Sequence, residues 1–446
     1  MIFFDRKKEI SELQKIEQQT VNDSSRMVLL TGRRRIGKTV LAKRVFAESK
    51  MMYLFIARKS ETELVQTLTE NIRNQGWYIP EGMKTFPHLI EYLFELGKTQ
   101  TFTLILDEFQ EFDNINRSVF SDMQNLWDSY KHITHINLVI TGSVYSLIQK
   151  IFMDKDEPLF NRADHIIRLQ PFTTSVLKEI LTHYNADYTN EDLLALYTIT
   201  GGVPKYVEWL MDNGCTTKDK MLEYVFSDNS HFIEEGRTLL VSEFGKNYGT
   251  YFSILQEIAL GNRSQSLIEQ RLGNISVGGY LKQLEDTYQL INRERPIMSK
   301  RESKAVRFAL KDNFIRFWFR YIEKNRSMIE IQNFEGLLLL AQKDYTTYTG
   351  LTLEQYFRTK MQESHEWREI SSWWRPKAIE IDGRLIDAEI DIVALALEGK
   401  RAIVAEVKRK REQYNHQLFM AKVEYLRSTD LSKYRIETRL LTMEDM

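Results

Sequence analysis

Eight residues, Gly32-Arg33-Arg34-Arg35-Ile36-Gly37-Lys38-Thr39, carry the spacing G-x-x-x-x-G-K-T. Those types at that spacing suit one task, holding the phosphates of a nucleotide. The glycines let the backbone turn tightly with its amide hydrogens facing inward. Lys38 can reach the β- and γ-phosphates, and Thr39 can ligate Mg²⁺. Contacts to the cofactor, ATP, are expected from Gly32 through Val40. A second acidic pair, Asp107-Glu108, follows the apolar run Phe102–Leu106. An aspartate there can hold the Mg²⁺ hydration shell across from Thr39, as a Walker B residue does. Glu108 beside it can polarise the attacking water. Ser143 follows a further apolar run and can contact the γ-phosphate or that water, with Thr141 as its competitor. Arg162 is the candidate transition-state arginine, supplied by the same subunit or a neighbour.

Positioning these groups requires strands that end beside one another. Met27–Thr31 reads as a buried strand before the loop, and a helix starts near Lys38. That helix turns its unpaired amides and partial positive charge toward the phosphate. Met51–Ala57, Phe102–Leu106, Asn137–Thr141 and His165–Leu169 read as the other strands. A strand between the loop's helix and the Asp107 strand, together with Glu108, points to the additional-strand class of P-loop ATPases. Before them runs an amphipathic helix from Lys7 to about Gln19, with Phe4 and Arg6 close enough in sequence to meet a base.

Bulk properties set the limits. The chain of 446 residues suggests roughly three domains, and 43% hydrophobic with 28% charged residues suits globular domains with sizeable cores. Sixty-one basic and 62 acidic residues leave a net charge of −1, so a nucleic-acid surface has to be a local patch. Cys215 is the only cysteine, which excludes an intrachain disulfide or a cysteine-based zinc site. The start MIFFDRKKEI lacks a long apolar stretch, and no apolar run reaches about eighteen residues. A cytoplasmic location without a membrane partner is therefore expected.

The motifs GRRRIGKT, LILDEFQ, the TGS strand tip, NRAD and TGGVPKYVEWL resemble those of the predominantly archaeal P-loop ATPases, relatives of the AAA+ and STAND ATPases. The resemblance covers about residues 1–240. It implies an AAA+-like core with a helical lid, in which the helix opened by Pro204 senses nucleotide state. The family's Gly-Arg-Ala triplet stands here as Asn161-Arg162-Ala163, so the arginine matches and its turn glycine does not.

Further on, three helical stretches, Tyr251–Leu260, Ser264–Leu272 and Ser276–Tyr288, precede strand-like Leu290–Arg295 and Val306–Lys311. Three helices and a hairpin make a winged helix. The wing carries Arg293, Arg295, Lys300, Arg301, Lys304 and Arg307 against Glu294 and Glu302. Phosphate contact and packing both remain open for it, because the third helix offers Lys282 and Gln283 but also Glu285 and Asp286. The aromatic stretch Asp312–Ile331 reads as a buried connecting helix.

A second chemical site lies near the C-terminus. Asp387–Leu395 and Arg401–Lys408 read as strands around the turn Leu397–Lys400. Residues two apart on a strand share a face, so Glu406 and Lys408 project together, and a hairpin can bring Asp391 beside them. Asp…Glu-x-Lys resembles the PD-(D/E)XK nuclease fold. In such a site two carboxylates and a backbone carbonyl hold Mg²⁺, and the lysine orients or deprotonates water. Glu354 fits the further glutamate that such domains place on the preceding helix. The Pro-Asp part of the motif is absent. The C-terminal domain of these ATPases, the DUF234 type, is generally nuclease-like. Basic Arg409-Lys410-Arg411 favours a phosphate-bearing partner.

The expected organisation is an α/β ATPase core over residues 1–170, a helical lid over 171–245, a winged helix over 246–312, a connecting helix over 313–340 and a PD-(D/E)XK nuclease-like domain over 341–446. The expected function is a Mg²⁺-dependent ATPase regulating a nucleic-acid-binding winged helix and a nuclease domain, with DNA or RNA as partner and an oligomer if Arg162 acts in trans. Two alternatives stay open: a STAND-like nucleotide switch with an inactive nuclease-like domain, and an ATP-dependent DNA-binding regulator.

Overall fold

Five short apolar runs become a parallel sheet: β1 (Arg26–Thr31), β2 (Met51–Phe55), β3 (Phe102–Asp107), β4 (Ile136–Thr141) and β5 (His165–Arg168). Their order is β2-β3-β4-β1-β5, and every neighbouring pair runs parallel. β3 and β4 are buried along their whole length, as strands are when helices cover both faces of a sheet. On one face α1 (Lys7–Asn22) and α2 (Lys38–Val45) pack through Leu13, Ile16, Leu41 and Phe46. On the other lie α3 (Glu61–Asn74), α4 (Phe86–Leu96), α5 (Phe112–Ile115), α6 (Val119–Tyr130) and α7 (Tyr145–Met153), around Phe86, Phe94, Phe109 and Trp127. β4 lies between β1 and β3, so the tips of these three strands face one crevice at their carboxyl ends.

This computed structural model describes residues 1–245, 248–300, 303, 305–381 and 383–446. It divides into two units, residues 3–171 and residues 1–2 with 172–446. The sheet above belongs to the first.

The second unit begins with α8 (Thr174–Tyr184), α9 (Asn190–Thr200), α10 (Pro204–Asp212), α11 (Lys218–Val225) and α12 (Phe232–Phe244). Then follow α13 (Tyr248–Ala259), α14 (Gln265–Arg271), α15 (Gly278–Asp286) and the antiparallel pair β6 (Ile291–Glu294) and β7 (Arg307–Leu310). Asp312–Ile331 is not the single helix expected. It breaks into α16 (Asn313–Phe317), a π-helical turn at Trp318–Ile322, a 3₁₀ turn and α17 (Arg326–Glu330). Packing explains the break. Trp318 is fully buried, its indole N–H donates to the Ile233 carbonyl at 2.9 Å, and its ring occupies the space left by Gly236 of α12.

The chain ends with α18 (Phe334–Glu363), β8 (Trp367–Trp374), β9 (Ile379–Ile381), β10 (Arg384–Ile386), β11 (Glu389–Ala396), β12 (Arg401–Val407), α19 (His416–Ser428) and β13 (Arg435–Leu441). β9 and β10 pair with each other. The main sheet has the order β13-β12-β11-β8, with β12–β13 parallel and the other pairs antiparallel. α19 makes the crossover that a parallel pair requires. The segment expected as a lid shares this unit. Glu363 of α18 accepts from the Thr174 amide at 3.0 Å and from its hydroxyl, capping α8, and the hydroxyls of Tyr197 and Thr359 lie 3.0 Å apart.

Candidate functional site

At the tip of β1 the loop Gly32–Thr39 folds back on itself. Gly32 has φ 146° and packs so tightly that a Cβ would lie 2.8 Å from the Leu169 carbonyl oxygen. Gly37, at φ 92°, caps α2 in a conformation that favours glycine. The Lys38 ammonium donates to the carbonyls of Gly32 and Arg33, both at 2.9 Å. The lysine is thus folded over the space its own loop encloses. The Thr39 hydroxyl donates to Asp107 Oδ2 at 2.7 Å, so the two expected Mg²⁺-side groups meet directly. Ile36 is buried, Arg34 half-buried and Val40 exposed, and Arg35 has a left-handed backbone.

Glu108 stands in a left-handed conformation at φ 59°. Its Oε2 accepts from the Ser143 hydroxyl at 2.6 Å, from the Ser143 amide at 3.2 Å and from Gln110 Nε2. Ser143 therefore bonds Glu108, the residue expected to polarise the attacking water. The Thr141 hydroxyl, its competitor, is buried and meets no hydrogen-bond partner among the described residues. Two contributors were not nominated from the sequence. Tyr53 on β2 donates to Asp107 Oδ2 at 2.9 Å, and burial, followed by the Asp107 charge, raises its phenol pKa. Gln110 is the other.

Arg162 requires a correction. It lies before β5, where Asp164 donates its amide to the Met27 carbonyl at the start of β1. That is the amino end of the parallel sheet, opposite the loop. Asp128 of α6 holds the guanidinium there at 3.0 and 3.2 Å. Arg162 is therefore not a cis partner of this subunit's phosphate site. Pro204 opens α10 in the second unit, after Gly201 and Gly202 in left-handed conformations. Arg6 is buried and donates to the Gln170 carbonyl at 2.7 Å, tying the chain's lead-in to the residues after β5.

In the second unit, β11 and β12 bring the carboxylates and the lysine together. The pairing Ile392↔Ala405 places Asp391 and Glu406 one step further along, where β11 shifts register against β8. Asp391 Oδ2 accepts the Val407 amide at 2.7 Å. Lys408 Nζ lies 2.7 Å from Glu406 Oε1, 3.8 Å from Asp391 Oδ2 and 3.3 Å from the Val407 carbonyl. Glu354, on α18, interacts electrostatically with both Asp391 and Lys408, and its Oε2 accepts from Arg358 at 3.3 Å. Burial, with the Asp391 charge behind it, pushes the Glu354 carboxyl up to about 7. Burial, with the Glu406 charge behind it, pushes Asp391 up to about 6. Burial pulls Lys408 down, but Glu406, Asp391 and Glu354 outweigh it and raise its pKa.

Glu406 Oε2 is buried with no hydrogen-bond partner. An open carboxylate oxygen beside Asp391 and the Val407 carbonyl fits a divalent cation. Among the described residues no cluster of three or more His, Cys, Asp or Glu side chains could hold one. Binding would rest on the two carboxylates and that carbonyl.

Of the basic segments, Arg307 and Arg409 turn to carboxylates, while Arg293, Lys300, Lys410 and Arg411 stay exposed. Arg307 of β7 donates to Glu389 at 2.7 Å and lies over the Trp374 ring, and the Ile297 amide bonds the Ser372 carbonyl at 3.1 Å. The β6–β7 segment thus packs on the C-terminal sheet. Arg301, Glu302 and Lys304 lie outside the described residues. Arg409, expected to favour a phosphate, is half-buried, pairs with Glu191 of α9 and donates to the Thr349 hydroxyl at 2.6 Å. No helix among the described residues is long and apolar enough to cross a membrane.

Residues 3–210 match the family described as an ATPase domain predominantly from Archaea. They belong to it. Residues 318–418 match a second family, archaeal and bacterial proteins of unknown function. An uncharacterized protein of Methanocaldococcus jannaschii is 28% identical over 420 residues, covering 92% of this chain and 88% of that protein. The Walker-type ATPase of Pyrococcus abyssi is 19% identical, with a TM-score of 0.52 over 71% of this chain and 96% of that one. The Aeropyrum pernix ORC2 protein in its ADPNP–ADP complexes is 14% identical, with a TM-score of 0.49 over 76% of this chain and 96% of that one. The Pyrococcus likeness shows the fold alone, an α/β parallel sheet of the P-loop kind.

Proposed function

We propose that the chain hydrolyses ATP at Gly32–Thr39 and that nucleotide state governs a metal-dependent phosphodiester-cleaving site at Asp391, Glu406 and Lys408. The match of residues 3–210 to the family of ATPase domains predominantly from Archaea supports the first part. Lys38 would leave the Gly32 and Arg33 carbonyls to meet the β- and γ-phosphates, whose oxygens replace those acceptors. Thr39 and Asp107 would hold Mg²⁺, and Glu108, once freed from Ser143, would orient the attacking water. When bound, a divalent ion neutralises charge developing on the phosphoryl oxygens.

The observation that carries the second part is the unpartnered Oε2 of Glu406 beside Asp391 and Lys408. Asp391 and Glu406 would hold a metal there, Lys408 would orient water, and Glu354 would take or return a proton near neutral pH. The test is cleavage of a panel of DNA and RNA with Mg²⁺ or Mn²⁺, with and without ATP. Cleavage lost in Asp391→Ala supports the assignment. Cleavage undetectable in the natural protein, or surviving the substitution, overturns it.

A nucleotide switch with an inactive second site is the alternative favoured by one contact. Lys408 already bonds Glu406 where a cation would compete with it. The DNA-binding regulator gains least, since Arg307 is engaged by Glu389. Arg162 keeps only a trans role, on a neighbouring subunit's nucleotide, which an oligomer held together by ATP would support.

A further inference from the structure

A cavity of about 630 Å³ opens in the second unit between β6–β7, α18 and β8. Five arginines border it, Arg263, Arg293, Arg295, Arg316 and Arg358, against Glu285, Glu294 and Glu369. Neither the nucleotide loop nor the carboxylate–lysine group lies on this cavity. Glu294 is already committed, because Arg263 bonds it and Arg358 lies 3.9 Å from it. The Nε atoms of Arg295, Arg316 and Arg358 are buried and meet no hydrogen-bond partner among the described residues. A buried cationic donor without an acceptor is costly, and the three arginines that carry one line the same cavity, where an anion would compensate their charge. Crowding of like charge agrees with this. Burial, then Arg307 and Arg358, work against the Arg263 charge, and its pKa is lowered despite Glu294.

We propose that this cavity binds a nucleotide phosphate, held by the guanidinium forks of Arg295, Arg316 and Arg358. A phosphate presents several oxygens to several planar forks at once, which a single carboxylate does not. The cavity's size is that of a pocket for a small organic ligand, and Ile258, Leu310 and Leu351 supply apolar wall for the remainder of a nucleotide. The phosphate comes either from a free mononucleotide or from a nucleic-acid strand. Arg316 is positioned by the Thr352 hydroxyl, to which it donates at 2.7 Å, and Arg358 by Glu354 at 3.3 Å. Occupancy would therefore compete for the arginine that partners Glu354.

The test is calorimetric titration of full-length protein carrying Lys38→Ala, which silences the nucleotide loop. Three probes are used: inorganic phosphate, AMP and a short 5′-phosphorylated DNA strand. Saturable binding of AMP identifies a free nucleotide as the source, and binding of the strand alone identifies nucleic acid. In either case Arg295→Gln and Arg316→Lys should each weaken binding about tenfold or more. With the strand, Arg295→Gln should also flatten the salt dependence by about one phosphate contact. If Arg295→Gln lowers the melting temperature, Arg316→Lys decides, since it keeps charge and stem and loses only the fork. No saturable binding by AMP or strand overturns the proposal, as does binding unchanged in both variants.

Discussion

Glu108 occupies a left-handed backbone conformation that non-glycine residues adopt at a cost, and strain of this kind is stored where function over-determines it. Ser143 and Gln110 restrain its carboxylate. Replacing Glu108 by Gln should lower ATP turnover by about 10²–10⁴-fold while leaving nucleotide affinity near its natural value, read by steady-state kinetics beside equilibrium binding. Unchanged turnover would remove Glu108 from the chemistry. Lys38→Ala should abolish nucleotide binding in the same assay. The carboxylates of the second unit predict a pH effect. Glu354 and Asp391 are raised to about 7 and about 6 from 4.5 and 3.8, so the folded chain keeps protons that the unfolded chain has released. Their contribution to stability is complete below the unfolded values and is lost as pH rises through the folded ones. Melting with chelator should therefore show this contribution fading between about pH 4 and pH 7, and Mn²⁺ should restore more stability at high pH than at low. A Mn²⁺ effect that shrinks with rising pH would contradict the site.

Individual elements reveal where local sequence stops being informative. The apolar runs of β1, β3 and β4 were legible because strands covered on both faces are apolar throughout. The Asp391–Glu406 pairing was legible from strand period and one tight turn. The break after Phe317 was not, because it answers to Trp318 packing on Gly236, a residue some eighty positions earlier. Gly236→Ala should overpack that contact and cost about 1–3 kcal/mol, seen as a lower denaturation midpoint. A midpoint equal to that of the natural protein would show that α12 can shift without penalty.

At the scale of the whole molecule, the two candidate sites belong to different units. A ligand stabilises the unit that binds it, by about 2.7 kcal/mol at a hundredfold excess over Kd. Calorimetric unfolding should therefore respond selectively. Mg²⁺-ATP should raise the transition of residues 3–171, and Lys38→Ala should erase that rise. Mn²⁺ alone should raise the transition of residues 172–446, and Asp391→Ala should erase it. A single transition moved equally by both ligands would show that the units unfold together.

The loop Gly32–Thr39 and the pair Asp107-Glu108 could be read from the chain because a phosphate cradle needs contiguous residues at set spacing, and a strand needs a contiguous apolar run. Asp391, Glu406, Lys408 and Glu354 could be nominated from strand period and residue type. Their neighbours could not. Which end of the sheet carries Arg162, that Tyr53 reaches Asp107, that Arg409 and Arg307 turn to Glu191 and Glu389, and that three arginines border one cavity all depend on residues brought together by packing. Charge type is written in the sequence; the partner of each charge is set by burial and distance, which exist only once the chain has folded.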